Sequence, residues 1–422
     1  MNEDIKPSRL IVIGNGFDKW CKLKSSFSDF MNYQARNKSS IYNKISLMRD
    51  MESVTIDEYL KIFDNINSSH NFTFWDLVFI LNTVKDKNGN WCDAEQIIYN
   101  TFSSDDEINM SNEVNQFVRA NLWDTWNNFI QGMTPINRYI NVNDNIVVLY
   151  LIYLKIVTKK GFNDIQKKQE FYEFLFSELN LFEKKFSKYM LSQTHLSNQY
   201  DANRILLLQY IANFNLFNVM SFNYTYVREI YNLAKCENVH GTLSSVKDSD
   251  CIIGIDGQDI EHFEIKYRFT KTYRKVELYT KNMYKNIIDV FDPNIKEIHF
   301  FGHSLNEQDY AYFQTMFDIY NIYESDVKLV FLYSIYDKSI QEEIQFKTTS
   351  SVIRLIQKYG ETIREQNNKK GRNLLHRLLV QSRIRIEQIP QDSLSVLDRH
   401  SKLKTWYSEN YQNYYQLIIN DR

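Results

Sequence analysis

Four short segments hold residue types that could do chemistry. Ile13-Gly14-Asn15-Gly16-Phe17-Asp18 closes an apolar run with a Gly-x-Gly turn. Such a turn between a strand and a helix can offer backbone N–H groups to a pyrophosphate. Ser221-Phe222-Asn223-Tyr224-Thr225 follows a second apolar run. The Asn223 amide both donates and accepts, so it suits orienting a sugar hydroxyl or a water, not acting as a base. Val239-His240-Gly241 offers an imidazole as general base, with a glycine beside it to give a ligand clearance. Phe301-Gly302-His303-Ser304-Leu305-Asn306, with Asp309 just beyond, offers further phosphate or ribose contacts. Each segment also has a plainer reading: a tight turn, an asparagine helix cap, a structural histidine, an aspartate favouring the next helix. In chain order they supply a phosphate-binding turn, a polar orienter, a base and a second phosphate contact.

The first segment is not a dehydrogenase fingerprint. Lys19 stands where that pattern wants its third glycine, and no acidic ribose-binding residue follows a second strand about 20 residues on. Glycine is scarce, 11 in 422 residues, and six (Gly14, Gly16, Gly241, Gly254, Gly257 and Gly302) sit at or beside expected strand ends. Ligands bind at those ends in an open α/β sheet, where a missing side chain lets backbone approach a phosphate.

Strands and helices must bring these segments together. Leu10 to Ile13 reads as a buried strand entering a tight turn. From about Ser25 to Asn203 the pattern is mostly helical. Leu175, Leu179, Phe182, Phe186 and Tyr189 recur at spacings of three and four, with similar stripes over Val114 to Ile130 and Arg204 to Phe214. Beyond Asn215, strands are expected at Leu216 to Phe222, Asn238 to Val239, Cys251 to Ile255, Glu297 to Phe301 and Val327 to Tyr333. Helices are expected at Tyr226 to Lys235, Val276 to Phe291 and Gln308 to Tyr320. That alternation predicts an α/β fold with a Rossmann-like, mostly parallel sheet. The expected division is a discontinuous core (1–40 and 205–350), a helical insertion (41–204) and a helical, locally basic C-terminal region (351–422). In that last region nine Lys or Arg between Arg354 and Arg385 face only Glu361 and Glu365, which reads as a solvated helix face.

Composition narrows the function classes. With 50 basic against 52 acidic residues the net charge is −2, which excludes a globally basic nucleic-acid or membrane-surface protein. Cys21, Cys92, Cys236 and Cys251 lie far apart, so neither a zinc ribbon nor a disulfide framework is expected. Ile146 to Val157, interrupted by Lys155, is too short to cross a bilayer of about 30 Å. No basic segment precedes an apolar stretch at the start, and a cytoplasmic location is expected.

The ordered motifs resemble the abortive-infection AbiH family of bacterial anti-phage proteins, and more distantly the sirtuin-like superfamily. Gly14 to Asp18 match the family's opening pattern, as do Leu23, Asp29 and Phe30, whereas Lys22 replaces a glycine, Ser25 a threonine and Phe27 a tyrosine. Phe222 to Thr225, His240-Gly241, Gly254-Ile255-Asp256 and Gly302 to Asn306 match later motifs. Trp75-Asp76-Leu77 resembles a further segment, with Val78 where an acidic residue is common. The resemblance implies NAD+ bound at a Rossmann-type sheet, with Asn223 and His240 catalytic. It further implies NAD+ contacts from Gly14, Asn15, Gly16, Phe17, Asp18, Phe222, Tyr224, Thr225, Gly241, Gly302, His303, Ser304 and Asp309.

The expected activity is NAD+ glycohydrolysis by an anti-phage effector, with NAD+ as substrate, no prosthetic group and no metal. The four-cysteine zinc module of sirtuin deacylases is missing, which makes deacylation the remoter activity. The alternative from another class is a non-catalytic nucleotide-sensing module that binds a phage or host partner. A phage-derived or host trigger is expected, a homo-oligomer is left open, and neither membrane nor nucleic acid is expected as a partner. The helical block from about residue 41 to 204 is expected to form a lid. Its Trp75, Phe79, Trp123 and Trp126 are expected to be mostly core, with one or two facing the nicotinamide ring.

Overall fold

The computed structural model describes residues 6–37, 73–82, 91–103, 168–195, 197–227, 230–243, 251–257, 260–262, 264–280, 287–366 and 371–420. The expected stripe at Val114 to Ile130, Trp123, Trp126, the run Ile146 to Val157, and Lys369 and Lys370 lie outside these residues. The chain forms two units: a sheet unit of residues 1–25, 187–251 and 278–422, and a helical unit of residues 26–186 and 252–277. This division differs from the expected one at several boundaries. Residues 187–204 and the whole of 351–422 belong with the sheet, and 252–277 belongs with the helical unit.

Strand β1 (Arg9–Ile13) leads into the short α1 (Asn15–Trp20). Helices α2 (Phe27–Asn37), α3 (Phe74–Asn82), α4 (Trp91–Ser103) and α5 (Lys168–His195) follow. After α6 (Asn198–Ala212) come β2 (Phe217–Ser221), β3 (Leu233–Asn238), α7 (Lys271–Thr280) and β4 (Glu297–Phe301). Next are α8 (Tyr310–Ile319), β5 (Lys328–Ser334), α9 (Gln341–Gln366), α10 (Leu374–Val380) and β6 (Ile384–Ile389). Three short helices close the chain: α11 (Ser393–Arg399), α12 (Ser401–Asn410) and α13 (Gln412–Ile419).

Among the described residues, six strands form one parallel sheet in the order β3-β2-β1-β4-β5-β6. β1, β2 and β4 are buried along almost their whole length, which is why they read as unbroken apolar runs. Alternate residues divide between the faces: Leu10, Val12, Ile298, Phe300, Leu329 and Phe331 enter a core that also takes in Phe313, Phe317, Val352, Ile356 and Leu378. Chain order reverses between β1 and β4, and the crevice at that switch point is where such sheets hold ligands.

Three local expectations are corrected. The described residues of 226–235 form no helix; the last of them open β3, whose Ala234 and Lys235 are exposed at the sheet edge. Helix-favouring residues there give way to backbone pairing with β2. Cys251 to Ile255 adds no strand; Ile255 makes one isolated bridge to Thr270. Among the described residues the C-terminal region is helical apart from β6, which the sequence does not reveal because its four middle residues are exposed and three of them, Arg385, Glu387 and Gln388, are polar.

Within the helical unit, two family-motif acids begin helices. Asp29 accepts the Ser26 N–H at 3.0 Å while its own N–H donates to the Ser26 hydroxyl at 3.1 Å. Asp76 and Thr73 make the same reciprocal capping box at 2.6 and 3.2 Å, and Asp76 is ion-paired with Lys185. Trp75 and Phe79 are fully buried there, in contact with each other and, through Phe79, with Phe27 and Phe182. These two rings are core residues.

Candidate functional site

Four of the strands end at the predicted segments, all on one edge of the sheet because the strands are parallel. β1 ends at Gly14, β2 at Phe222, β3 just before His240, and β4 at Gly302.

The glycines fit one another. Gly14 N–H donates to the Phe301 carbonyl at 3.1 Å, Gly16 N–H to Gly302 at 2.8 Å, and Phe17 N–H to Gly14 at 2.8 Å. A Cβ on Gly14 would lie 2.7 Å from the His303 α-carbon, and one on Gly16 2.7 Å from the Gly302 α-carbon. Glycine at these positions therefore lets two backbone turns meet across the switch point. The amides expected to cradle a pyrophosphate already have protein acceptors.

Behind the turn lies a buried polar network. Asp18 is 1% exposed and accepts the Tyr200 hydroxyl at 2.7 Å and the Thr225 hydroxyl at 3.0 Å. Burial pushes its pKa up to about 6, against the pull of Tyr200, Thr225, Arg204 and Asn223. Asn223 is turned inward too: its side-chain amide donates to the Gly14 carbonyl at 3.0 Å and bonds Asp18. It braces the turn from the β2 side. Asn238 in turn donates to the carbonyls of Asn223 and Thr225 at 2.6 and 2.8 Å. Asn15 accepts the Ser25 hydroxyl at 2.5 Å, and the Phe17 ring is buried against Phe301. Tyr200 and Asn238 were not singled out from sequence, since neither lies in a motif and the partner of Tyr200 is 182 residues away along the chain.

Helix α1 ends in a Schellman motif. Leu23 N–H returns to the Asp18 carbonyl at 2.9 Å and Lys22 N–H to Lys19 at 3.0 Å, with Lys22 in the left-handed region at φ 70°. The glycine for which Lys22 is substituted in the family pattern is the residue that this geometry favours.

One cluster remains that backbone architecture does not explain. Asp309 lies at the start of α8 yet makes no side-chain cap bond there. Its carboxylate sits between two imidazoles, with Oδ1 3.0 Å from His240 Nε2 and Oδ2 3.2 Å from His303 Nε2. His303 Nδ1 accepts the Leu305 N–H at 2.9 Å, so the hydrogen of neutral His303 is on Nε2, toward Asp309. The Phe222 ring lies edge-on to both imidazoles, at 5.6 Å from His240 and 4.4 Å from His303. Tyr312 and Tyr224 flank His240 at 6.0 and 6.4 Å. His240 and Asp309 are 6% and 8% exposed, whereas Ser304 is exposed beside them in sequence. Gly241 and Gly302 hold positive φ of 85° and 73° and so turn the chain directly beside the histidines. The structure thus brings together His240, His303, Asp309, Phe222 and Tyr224, and turns Asp18, Asn223 and Thr225 into the supporting network.

The family model for bacteriophage abortive infection AbiH matches residues 10–333. The chain belongs to the AbiH family. The match runs from β1 to the end of β5 and includes every residue of the histidine cluster, whereas β6 and α11 to α13 lie beyond it. No curated protein and no solved structure matches this AbiH-family chain. Among the described residues, no helix is long and apolar enough to cross a membrane.

Proposed function

We propose that this AbiH-family protein is an abortive-infection effector that hydrolyses the nicotinamide–ribose bond of NAD+. The observation that carries the reading is the Asp309 carboxylate clasped by His240 and His303 at the ligand-binding edge of the sheet. His303 fixes one carboxylate oxygen, and the other faces His240 Nε2. Nε2 of His240 lies 3.0 Å from the carboxylate but is not aligned for a hydrogen bond to it. In the proposed reaction the ring turns to place its hydrogen toward Asp309, which leaves Nδ1 as the basic nitrogen. The resemblance to sirtuin-like sheets supplies the choice of substrate.

In the proposed reaction the bond between C1′ and the nicotinamide nitrogen breaks, its electron pair leaving with nicotinamide, which departs neutral. The passing positive charge on the ribose is of the oxocarbenium kind. A water oxygen bonds to C1′, its proton passes to His240 Nδ1 and then to solvent, and Asp309 stabilises the imidazolium formed in between. The products are nicotinamide, ADP-ribose and a proton. The pyrophosphate gains the Gly16 amide only by displacing the Gly302 carbonyl, so the closed turn opposes binding and holds the resting protein at low activity.

The test is incubation of the purified full chain with NAD+, alone and with extract of phage-infected cells, followed by chromatography for nicotinamide and ADP-ribose. Release of both, lost in His240→Ala, is expected. No release under either condition would replace this reading with that of a non-catalytic nucleotide-sensing module.

A further inference from the structure

The sheet face opposite the Phe300–Phe331 core carries a second set of unexplained polar groups, none of them in the histidine cluster at the strand ends. A cleft of about 590 Å³ lies there, a size suited to a small-molecule ligand. Its floor is the alternate residues of the strands: Arg9 on β1, Glu297 and His299 on β4, and Arg385 and Glu387 on β6. Its rim is the end of α6 and the junction of α11 with α12.

Two observations about the cleft are independent. First, it is cationic. Arg9, Arg385, Arg399 and Lys402 line it against only Glu297 and Glu387. Glu297 is already engaged by Arg9 at 3.2 Å and Arg385 at 3.3 Å, and Arg385 also meets Glu387 at 3.1 Å. Arg399 and Lys402 therefore bring charge in excess. The first residues of α12, Ser401 to Leu403, also line the cleft, and the His400 side chain does not cap that helix. Second, two lining side chains hold buried acceptors without a partner. His299 is 6% exposed; its Nε2 bonds Glu297 at 3.1 Å, while Nδ1 has no partner. Burial pushes the pKa of His299 down, so Nδ1 is the bare lone pair of a neutral ring. Gln209 is fully buried; its amide nitrogen donates to the Tyr231 carbonyl, and its Oε1 is left unpaired. Buried polar atoms without partners are rare, and two in one cleft point to a ligand that supplies donors.

We infer that this cleft binds a phosphate ester of a sugar: the phosphate at Arg399, Lys402 and the start of α12, and the sugar hydroxyls donating to His299 Nδ1 and Gln209 Oε1. A bare anion would answer the charge but not the two acceptors. A neutral sugar would answer the acceptors but not the charge.

Calorimetric titration of the full chain with ribose 5-phosphate, AMP and inorganic phosphate tests the assignment, AMP being the arm that separates a nucleotide from a simple sugar phosphate. At least one ester should bind at least tenfold more tightly than inorganic phosphate. Arg399→Gln and Lys402→Gln, both at exposed positions that leave the core intact, should each weaken that binding about tenfold, as loss of a charge-assisted contact does. The His299 Nδ1 resonance should shift by NMR once the ester is bound, because its bare lone pair then accepts a hydroxyl. Absence of ester binding at millimolar concentration, or binding unchanged in both variants, overturns the proposal. Inorganic phosphate matching the esters overturns it as well, because the two acceptors then play no part. Binding of a single-stranded oligonucleotide without binding of the esters overturns it in favour of a nucleic-acid surface.

Discussion

Gly16 donates its backbone N–H to the carbonyl of Gly302 at 2.8 Å, joining the turn after β1 to the turn after β4. A Cβ on Gly302 would stand 2.2 Å from the Phe17 nitrogen and 2.6 Å from the Gly16 carbonyl carbon, at φ 73°. Both neighbours are backbone and cannot swing aside. Gly302→Ala should therefore lose about 3 kcal/mol, from overpacking together with a left-handed alanine. Chemical denaturation measures this; a variant within about 0.5 kcal/mol of the parent would show that the turns part easily.

Lys22 offers the opposite sign. It holds φ 70° at the end of α1, where a β-carbon is strained. Lys22→Gly relieves that strain at some cost in unfolded-chain entropy, for a net gain of about 1 kcal/mol. An unchanged or lower melting temperature would mean that the lysine side chain makes a compensating contact.

The pH dependence of Asp18 has a definite direction. Its folded pKa of about 6 lies above the ordinary aspartate value of 3.8, so the native state binds the extra proton between those limits. Its contribution is fully present below about pH 4 and fades as pH rises through about 6, a span of up to about 3 kcal/mol. Asp18→Asn keeps an acceptor for Tyr200 or Thr225 and should flatten that part of the stability curve. Denaturation series from pH 4 to pH 8 on both proteins would reveal it, and parallel curves would place the Asp18 titration elsewhere.

The proposed reaction and the bracing of the turn are separable at His240, Asp309 and Asn223. His240→Ala and Asp309→Asn should each lower kcat for NAD+ cleavage by roughly 10²–10⁴-fold with little change in affinity for a non-hydrolysable analogue. Asn223→Ala releases the Gly14 carbonyl and should cost about 1–2 kcal/mol of stability. The two effects are read by steady-state kinetics and by denaturation. Full activity in His240→Ala would remove it from the reaction.

The fold was legible where burial is two-sided. Leu10 to Ile13, Phe217 to Ser221 and Glu297 to Phe301 are strands whose apolar runs follow from cover on both faces. The edges were not, because β3 buries only one of its six residues and β6 only two, and both carry polar sequence. At the candidate site, His240, His303 and Asp309 stand out as strand-end residues. That one carboxylate joins both imidazoles depends on the spacing of β3 and β4 across two intervening strands, which no local pattern encodes. The Tyr200 partner of Asp18 lies 182 residues away and has no local signature at all. The glycines were visible, but their reason was not: spacing alone does not distinguish a turn that meets phosphate from one that meets another turn.

The position of β6 has a bearing on how the sheet avoids pairing with a second copy of itself. The family match stops at residue 333, within β5, yet β5 pairs with β6 along Leu329 to Ser334. Were the chain cut after Ser334, the sheet would end in a strand bearing Leu329, Val330 and Phe331 with a row of unpaired amides, an inviting template for edge-to-edge aggregation. β6 covers that row and presents Arg385 and Glu387 to solvent in its place. It acts as a gatekeeper strand. The C-terminal segment thus guards the sheet against self-association, and a chain shortened to the family-matched span is expected to precipitate instead of folding into a smaller soluble protein.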